Sequence, residues 1–111
     1  MSKPIISYPD FAKLDLRVGT ILESEPVEAS KKLVKFLIDL GPIGQRTILA
    51  GVKDYFEPRE LVGTQVLVLA NLEPKKMMGL ESQGMILMGD VDGRPVLLIP
   101  QNKVPVGTGV E

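Results

Sequence analysis

The sequence predicts an all-β domain that closes into a small five-stranded barrel, and three observations carry this. Apolar side chains alternate with polar ones over Leu14–Val18 and Val34–Leu40, the period of a half-buried strand. Glycine-bearing turns separate five short stretches of this kind. One segment alone, Gly51 to Gly63, has helical character, and it falls between the third and fourth stretches with no internal repeat around it.

Residues Met1–Ser7 form an arm, and Pro9–Lys13 suits a short helical turn with Asp10 near its start. The first strand runs from Leu14 to Glu23, with Gly19 inside it marking a bulge or bend. Asp15 and Arg17 share its polar face, either as a solvated pair or with Arg17 free for a ligand. Glu25–Ser30 is a turn, and Lys31-Lys32 opens a second strand, Leu33–Leu40, whose even positions Val34, Phe36, Ile38 and Leu40 are apolar. Gly41-Pro42-Ile43-Gly44 makes a hairpin to a third strand, Gln45–Ala50. Pro58 suits the first turn of a helical plug carrying Tyr55 and Phe56, two rings that serve as plug or as stacking platforms. Strand four is Gln65–Ala70. A long loop then runs from Asn71 to Gly84, and strand five is Met85–Met88. Gly89–Gly93 is a turn cluster, Pro95–Pro100 a further apolar strand, and Val104–Val110 an extended tail. Five strands with a plug in this place describe the OB-fold, a barrel that commonly binds oligonucleotides.

The chain of 111 residues fits one domain, 1–111, with a core over about 10–90 and a C-terminal extension over 91–111. No apolar run is long enough to span a bilayer, and Met1-Ser2-Lys3-Pro4 lacks a signal-peptide core, so no membrane partner and a cytoplasmic location are expected. Cysteine and histidine are both absent. That removes thiol nucleophiles, disulfides, imidazole bases and the usual zinc sites, and no acidic cluster has calcium-loop spacing. Neither an enzyme nor a bound metal or cofactor is expected.

The net charge of −1 argues against a generic nucleic-acid binder, but its distribution is uneven. Residues 31–53 carry five positive charges (Lys31, Lys32, Lys35, Arg46 and Lys53) against Asp39 alone. Lys75 and Lys76 add a second basic site on an otherwise acidic chain. Lysines are common on exposed strands for solubility. Two such sites beside a long loop between core strands predict instead a surface for the phosphate backbone of a folded RNA. With aromatics at 5% and no Trp, shape and backbone are favoured over base stacking. The methionines Met77, Met78, Met85 and Met88 serve either as adaptable core filler or as a soft apolar binding surface.

Phe11–Ile21, Asn71–Lys76 and Gly79–Leu87 resemble, in order, the opening and the most characteristic run of the tRNA-binding domain family, with Lys31-Lys32-Leu33 and Leu61-Val62-Gly63 also in place. That family includes the C-terminal or beta domain of methionyl-tRNA synthetase, freestanding bacterial tRNA-binding proteins and the C-terminal part of EMAP II. The resemblance implies an OB-fold that binds tRNA with little sequence preference, freestanding or attached to methionyl-tRNA synthetase. It also implies a homodimer built from the terminal extensions, with Val96, Leu97, Leu98, Ile99, Val104 and Val106 as its candidate interface. Lys31, Lys32, Lys35, Lys75 and Lys76 would neutralise phosphates, with Arg46 and Lys53 extending the track. Asn71, Ser82 and Gln83 would hydrogen-bond phosphate or ribose, and Met85 would pack beside a base or ribose. A protein-binding chaperone of the CsaA branch is the alternative, motivated by the methionines.

Overall fold

Alternation in the sequence turns directly into burial over residues 34–40, whereas Leu14, expected to open the first strand, lies before it and is exposed. The structure, a computed structural model, describes residues 2–111. A short helix, α1 (Tyr8–Ala12), leads into β1 (Leu16–Pro26), β2 (Val34–Asp39) and β3 (Gln45–Ala50). Val34, Phe36, Ile38 and Leu40 are fully buried, while Lys35, Leu37 and Asp39 between them lie on the outer face. Each of those buried chains contributes about 1.5–3 kcal/mol through removal from water. Then come β4 (Gln65–Leu69), β5 (Lys75–Met77), β6 (Leu80–Ser82), β7 (Met85–Ile86), β8 (Met88–Val91), β9 (Arg94–Leu97) and β10 (Thr108–Gly109).

The barrel order is β3-β2-β1-β4-β7, antiparallel throughout, with β10 also paired to β1. β1 serves two partners, β4 through its first half and β2 through its second, so it must bend. Two devices allow this. A Cβ at Gly19 would come within 2.6 Å of Ile38 and 2.7 Å of Leu40, so only glycine fits there. The bulge itself falls at Leu22, where the register shifts between Ile21 and Glu23. β1 also runs on through Glu25-Pro26, where a turn was expected. Glu25 pairs with Lys35 and Pro26 with Val34, and a proline is tolerated because it ends the strand. The plug is a single 3-10 turn, Pro58–Leu61, which drives Leu61 into the core.

The seam between β3 and the β6–β7 segment closes the barrel, largely through side chains. Gln83 N–H donates to Thr47 O at 2.7 Å, and Thr47 N–H donates to the Gln83 side-chain Oε1 at 2.9 Å. Leu49 N–H donates to Ser82 Oγ at 3.0 Å. Gly84 sits at φ +140°, where a Cβ would meet Leu69 O at 2.8 Å.

Two expected irregular segments are hairpins. The Asn71–Gly84 stretch folds β5 onto β6 across Met78-Gly79, and Gly89–Gly93 contributes β8, paired to β9 across Asp92-Gly93. Both central residues have positive φ in each turn, the twist that suits a two-residue hairpin. The expected strand Pro95–Pro100 is correspondingly β9 and stops at Leu97. An extension starting at residue 91 would cut this second hairpin, so the tail proper follows Leu97. It is tied down by Gln65, whose side-chain amide donates to Val104 O at 2.7 Å and accepts from Val104 N–H at 3.0 Å. Gly107 N–H and Val110 N–H donate to Val18 O and Leu16 O. Of the candidate interface residues, Val96, Leu98 and Ile99 are exposed and Val104 and Val106 half-buried, but Leu97 packs against the barrel's own core. Among the described residues no helix is long and apolar enough to cross a membrane.

Candidate nucleic-acid interface

The turn between β1 and β2 is held rigid from below. Ser30 Oγ accepts from Lys32 N–H and Leu33 N–H, both at 3.1 Å, as serine does in tight turns. Lys53 Nζ donates to Ser30 O at 2.8 Å and Val27 O at 3.3 Å, and Lys53 N–H donates to Lys32 O at 2.9 Å. Lys31 and Lys32 therefore lie in a braced turn just before β2, one step outside the strand they were expected to open. Their side chains are exposed, and among the described residues neither forms an ion pair.

The hairpin β5–β6 forms the second basic element. Lys75 faces Ser82, Lys76 faces Glu81 and Met77 faces Leu80. Cross-strand partners share a face, so the two adjacent lysines point opposite ways. Lys75 lies on the side of buried Ser82 and lines a cleft of about 430 Å³ together with Leu49, Gly51, Met77, Met85 and Met88. Lys76 lies on the other side, opposite an acid.

Gly51 links the two elements. A Cβ there would stand 3.9 Å from the Lys32 Cβ, and Gly51 also lines the cleft. The end of β3 is thus flanked by the Lys32 turn on one side and by the Lys75 hairpin on the other. Three strand spacings separate Lys32 from Lys75, roughly 15 Å. In OB barrels the loop between the first two strands and the loop after the fourth are the ones used for oligonucleotides. Here those two loops carry Lys31, Lys32 and Lys75, none of which forms an ion pair among the described residues.

The family described as "Putative tRNA binding domain" matches residues 16–109. The chain belongs to the tRNA-binding domain family. The methionine–tRNA ligases of Methanothrix thermoacetophila and Archaeoglobus fulgidus are 49% and 51% identical to it over 108 residues. Each match covers 97% of this chain and 16% of the ligase. Among solved structures, the MetRS-related protein of Pyrococcus horikoshii superposes with a TM-score of 0.91 at 34% identity, covering 98% of this chain and all of that one. The chaperone CsaA of Bacillus anthracis superposes with a TM-score of 0.88 at 30% identity, covering 97% and 100%.

Other candidate residues of this tRNA-binding domain are occupied within the fold. Asn71 accepts from Asp15 N–H at 2.9 Å and donates to Lys13 O at 2.7 Å, fastening the entry of β1. The Ser82 hydroxyl is buried and takes part in the seam, donating to Gly84 O as well. Gln83 commits its carbonyl to Thr47, leaving the amide N–H groups. Arg46 pairs with Ile38 on the inward face and donates to Ile43 O at 2.8 Å. It caps the far end of β3, about 13 Å of strand from Ala50, and lies outside the basic rim. Lys53 braces the first turn. Arg17 pairs with Asp15 at 2.8 Å. Lys35 shares the outer face with Leu49 and approaches Glu25 at 3.8 Å. Met85 is exposed at the cleft, Met78 is exposed at the hairpin tip and Met88 packs on the core. Sequence reasoning missed the brace roles of Asn71, Ser82 and Gln83, whose partners lie 33 to 58 residues away. No local pattern signals such pairings.

Proposed function

We propose that this domain holds tRNA by its phosphate backbone across the rim formed by Lys31, Lys32 and Lys75, with Lys35 beside it and Met85 in apolar contact at the cleft. The observation that carries the reading is the placement of unpaired lysines in the two loops that flank the end of β3. Asn71, Ser82, Gln83 and Lys53 act by positioning those loops, and Lys76 and Arg46 are minor. The domain is non-catalytic and serves as an auxiliary tRNA anchor for methionyl-tRNA synthetase in the cytoplasm, either as part of that enzyme or as a separate chain. A homodimer through the exposed Ile5, Ile6, Val96, Leu98 and Ile99 doubles the rim. Filter binding of bulk tRNA at rising salt tests the reading. The logarithmic salt slope scales with the number of neutralised phosphates, roughly 0.7–0.9 per contact. Absence of binding at low salt removes the function, and a slope unchanged by Lys31→Ala with Lys32→Ala removes the site.

A second reading, capture of unfolded peptides, has one observation in its favour: the methionine-lined cleft, in a chain that superposes on a chaperone. Methionine surfaces adapt to varied apolar partners. Suppression of client aggregation, relieved by added tRNA, would show one surface serving both; no suppression removes this reading.

A further inference from the structure

Tyr55 is half exposed, whereas Phe56 beside it packs against the core. The chain turns sharply here, with Tyr55 N–H donating to Val52 O at 3.0 Å, so Val52 is buried and Tyr55 is carried outward. Tyr55, Asp54 and Phe56 line an open hollow of about 280 Å³ with Arg94 and Pro95 of the β8–β9 hairpin. The other aromatics are committed elsewhere. Phe36 is in the core, and Tyr8 and Phe11 contact each other at 6.3 Å on α1. Among the described residues that is the one aromatic contact, so the Tyr55 ring stacks on no other ring.

We propose that Tyr55, with Arg94 and Pro95, forms a stacking site for one unpaired base of an RNA whose backbone lies on Lys31 and Lys32. The hydrogen bond from Lys53 N–H to Lys32 O fixes residue 53 against the basic turn. Tyr55 follows two residues later, within reach of at most about 7 Å of chain. A phosphate on Lys31 or Lys32 and a base on Tyr55 can therefore belong to the same nucleotide or to neighbours. The formal charges in the hollow, Asp54 and Arg94, cancel. A phosphate gains nothing there, while a neutral planar group gains a ring face and a guanidinium plane. The site rests on the tRNA reading and adds to it: a domain that grips backbone through lysines would also select RNA that offers an unpaired base.

The test uses the full 111-residue chain, which contains no tryptophan, so Tyr55→Trp gives a single reporter. Its emission is expected to quench on titration with bulk tRNA and to stay unchanged with a blunt RNA duplex lacking unpaired bases. Tyr55→Ala is expected to weaken tRNA binding roughly tenfold while Tyr55→Phe retains it, as for base–aromatic stacking. The salt slope stays the same in both, and duplex binding by Tyr55→Ala matches that of the unmodified chain. Equal binding of tRNA by Tyr55→Ala, with unmoved Tyr55→Trp emission, overturns the proposal and leaves the tRNA reading standing. Equal losses on tRNA and duplex also overturn it, since they make Tyr55 a backbone contact. If no form binds tRNA at low salt, both readings fall.

Discussion

The two basic loops reach the same rim by opposite routes. The β1–β2 turn is braced by another cation: Lys53 spends its ammonium on two backbone carbonyls, which leaves Lys31 and Lys32 free. The β5–β6 hairpin is braced by neutral groups, Ser82 and Gln83, that reach from the hairpin's base to β3. The first route keeps two lysines available in an irregular turn. The second imposes strand alternation, so Lys75 faces the cleft and Lys76 faces Glu81. Two adjacent lysines are therefore not automatically two contacts; the backbone conformation beneath them decides.

The largest expected effect breaks the second brace outright. Gly84→Ala must place a Cβ 2.8 Å from Leu69 O at a φ that L-residues rarely adopt, and is expected to cost about 3 kcal/mol in urea unfolding. Ser82→Ala strands the Leu49 N–H and should cost about 2 kcal/mol, with hydrogen exchange at Leu49 rising before that of β2. Next comes the first loop. Lys31→Ala with Lys32→Ala is expected to lower the salt slope of tRNA binding by about 1.5 without changing the melting temperature. The smallest effect separates the adjacent pair. Lys75→Ala alone should lower the slope by roughly 0.8, and Lys76→Ala by much less. Equal slopes for those two variants would mean that the hairpin's alternation does not govern contact.

The same contrast explains what could be read from the chain. β2 is legible because burial on one face repeats every second residue, and β3 and β4 because each is a compact run of strand-forming residues bounded by turn residues. The β5–β6 hairpin is not, because three-residue strands give no period and Met78-Gly79 is a weak turn signal. Asp92-Gly93 is a strong one, yet Gly89 and Pro95 beside it mask the strands. For the site, the lysines are visible as charge. Which of them face the cleft or brace a turn depends on the alternation of the β5–β6 ladder, on the Ser30 and Val27 carbonyls, and on the inward register of Arg46 opposite Ile38. Those are properties of pairing, set by tertiary structure.

A ladder of amide bonds survives nearly any change of side chain, because the chain itself supplies the teeth. The zip joining the third strand to the cleft-side hairpin borrows some of its teeth from a serine and a glutamine. A single codon change there can loosen how the hairpin is carried while most of the wall stays shut. Drift at those two positions would thus retune the angle at which the cleft meets its cargo, giving a small barrel a way to diversify its grip without rebuilding its frame.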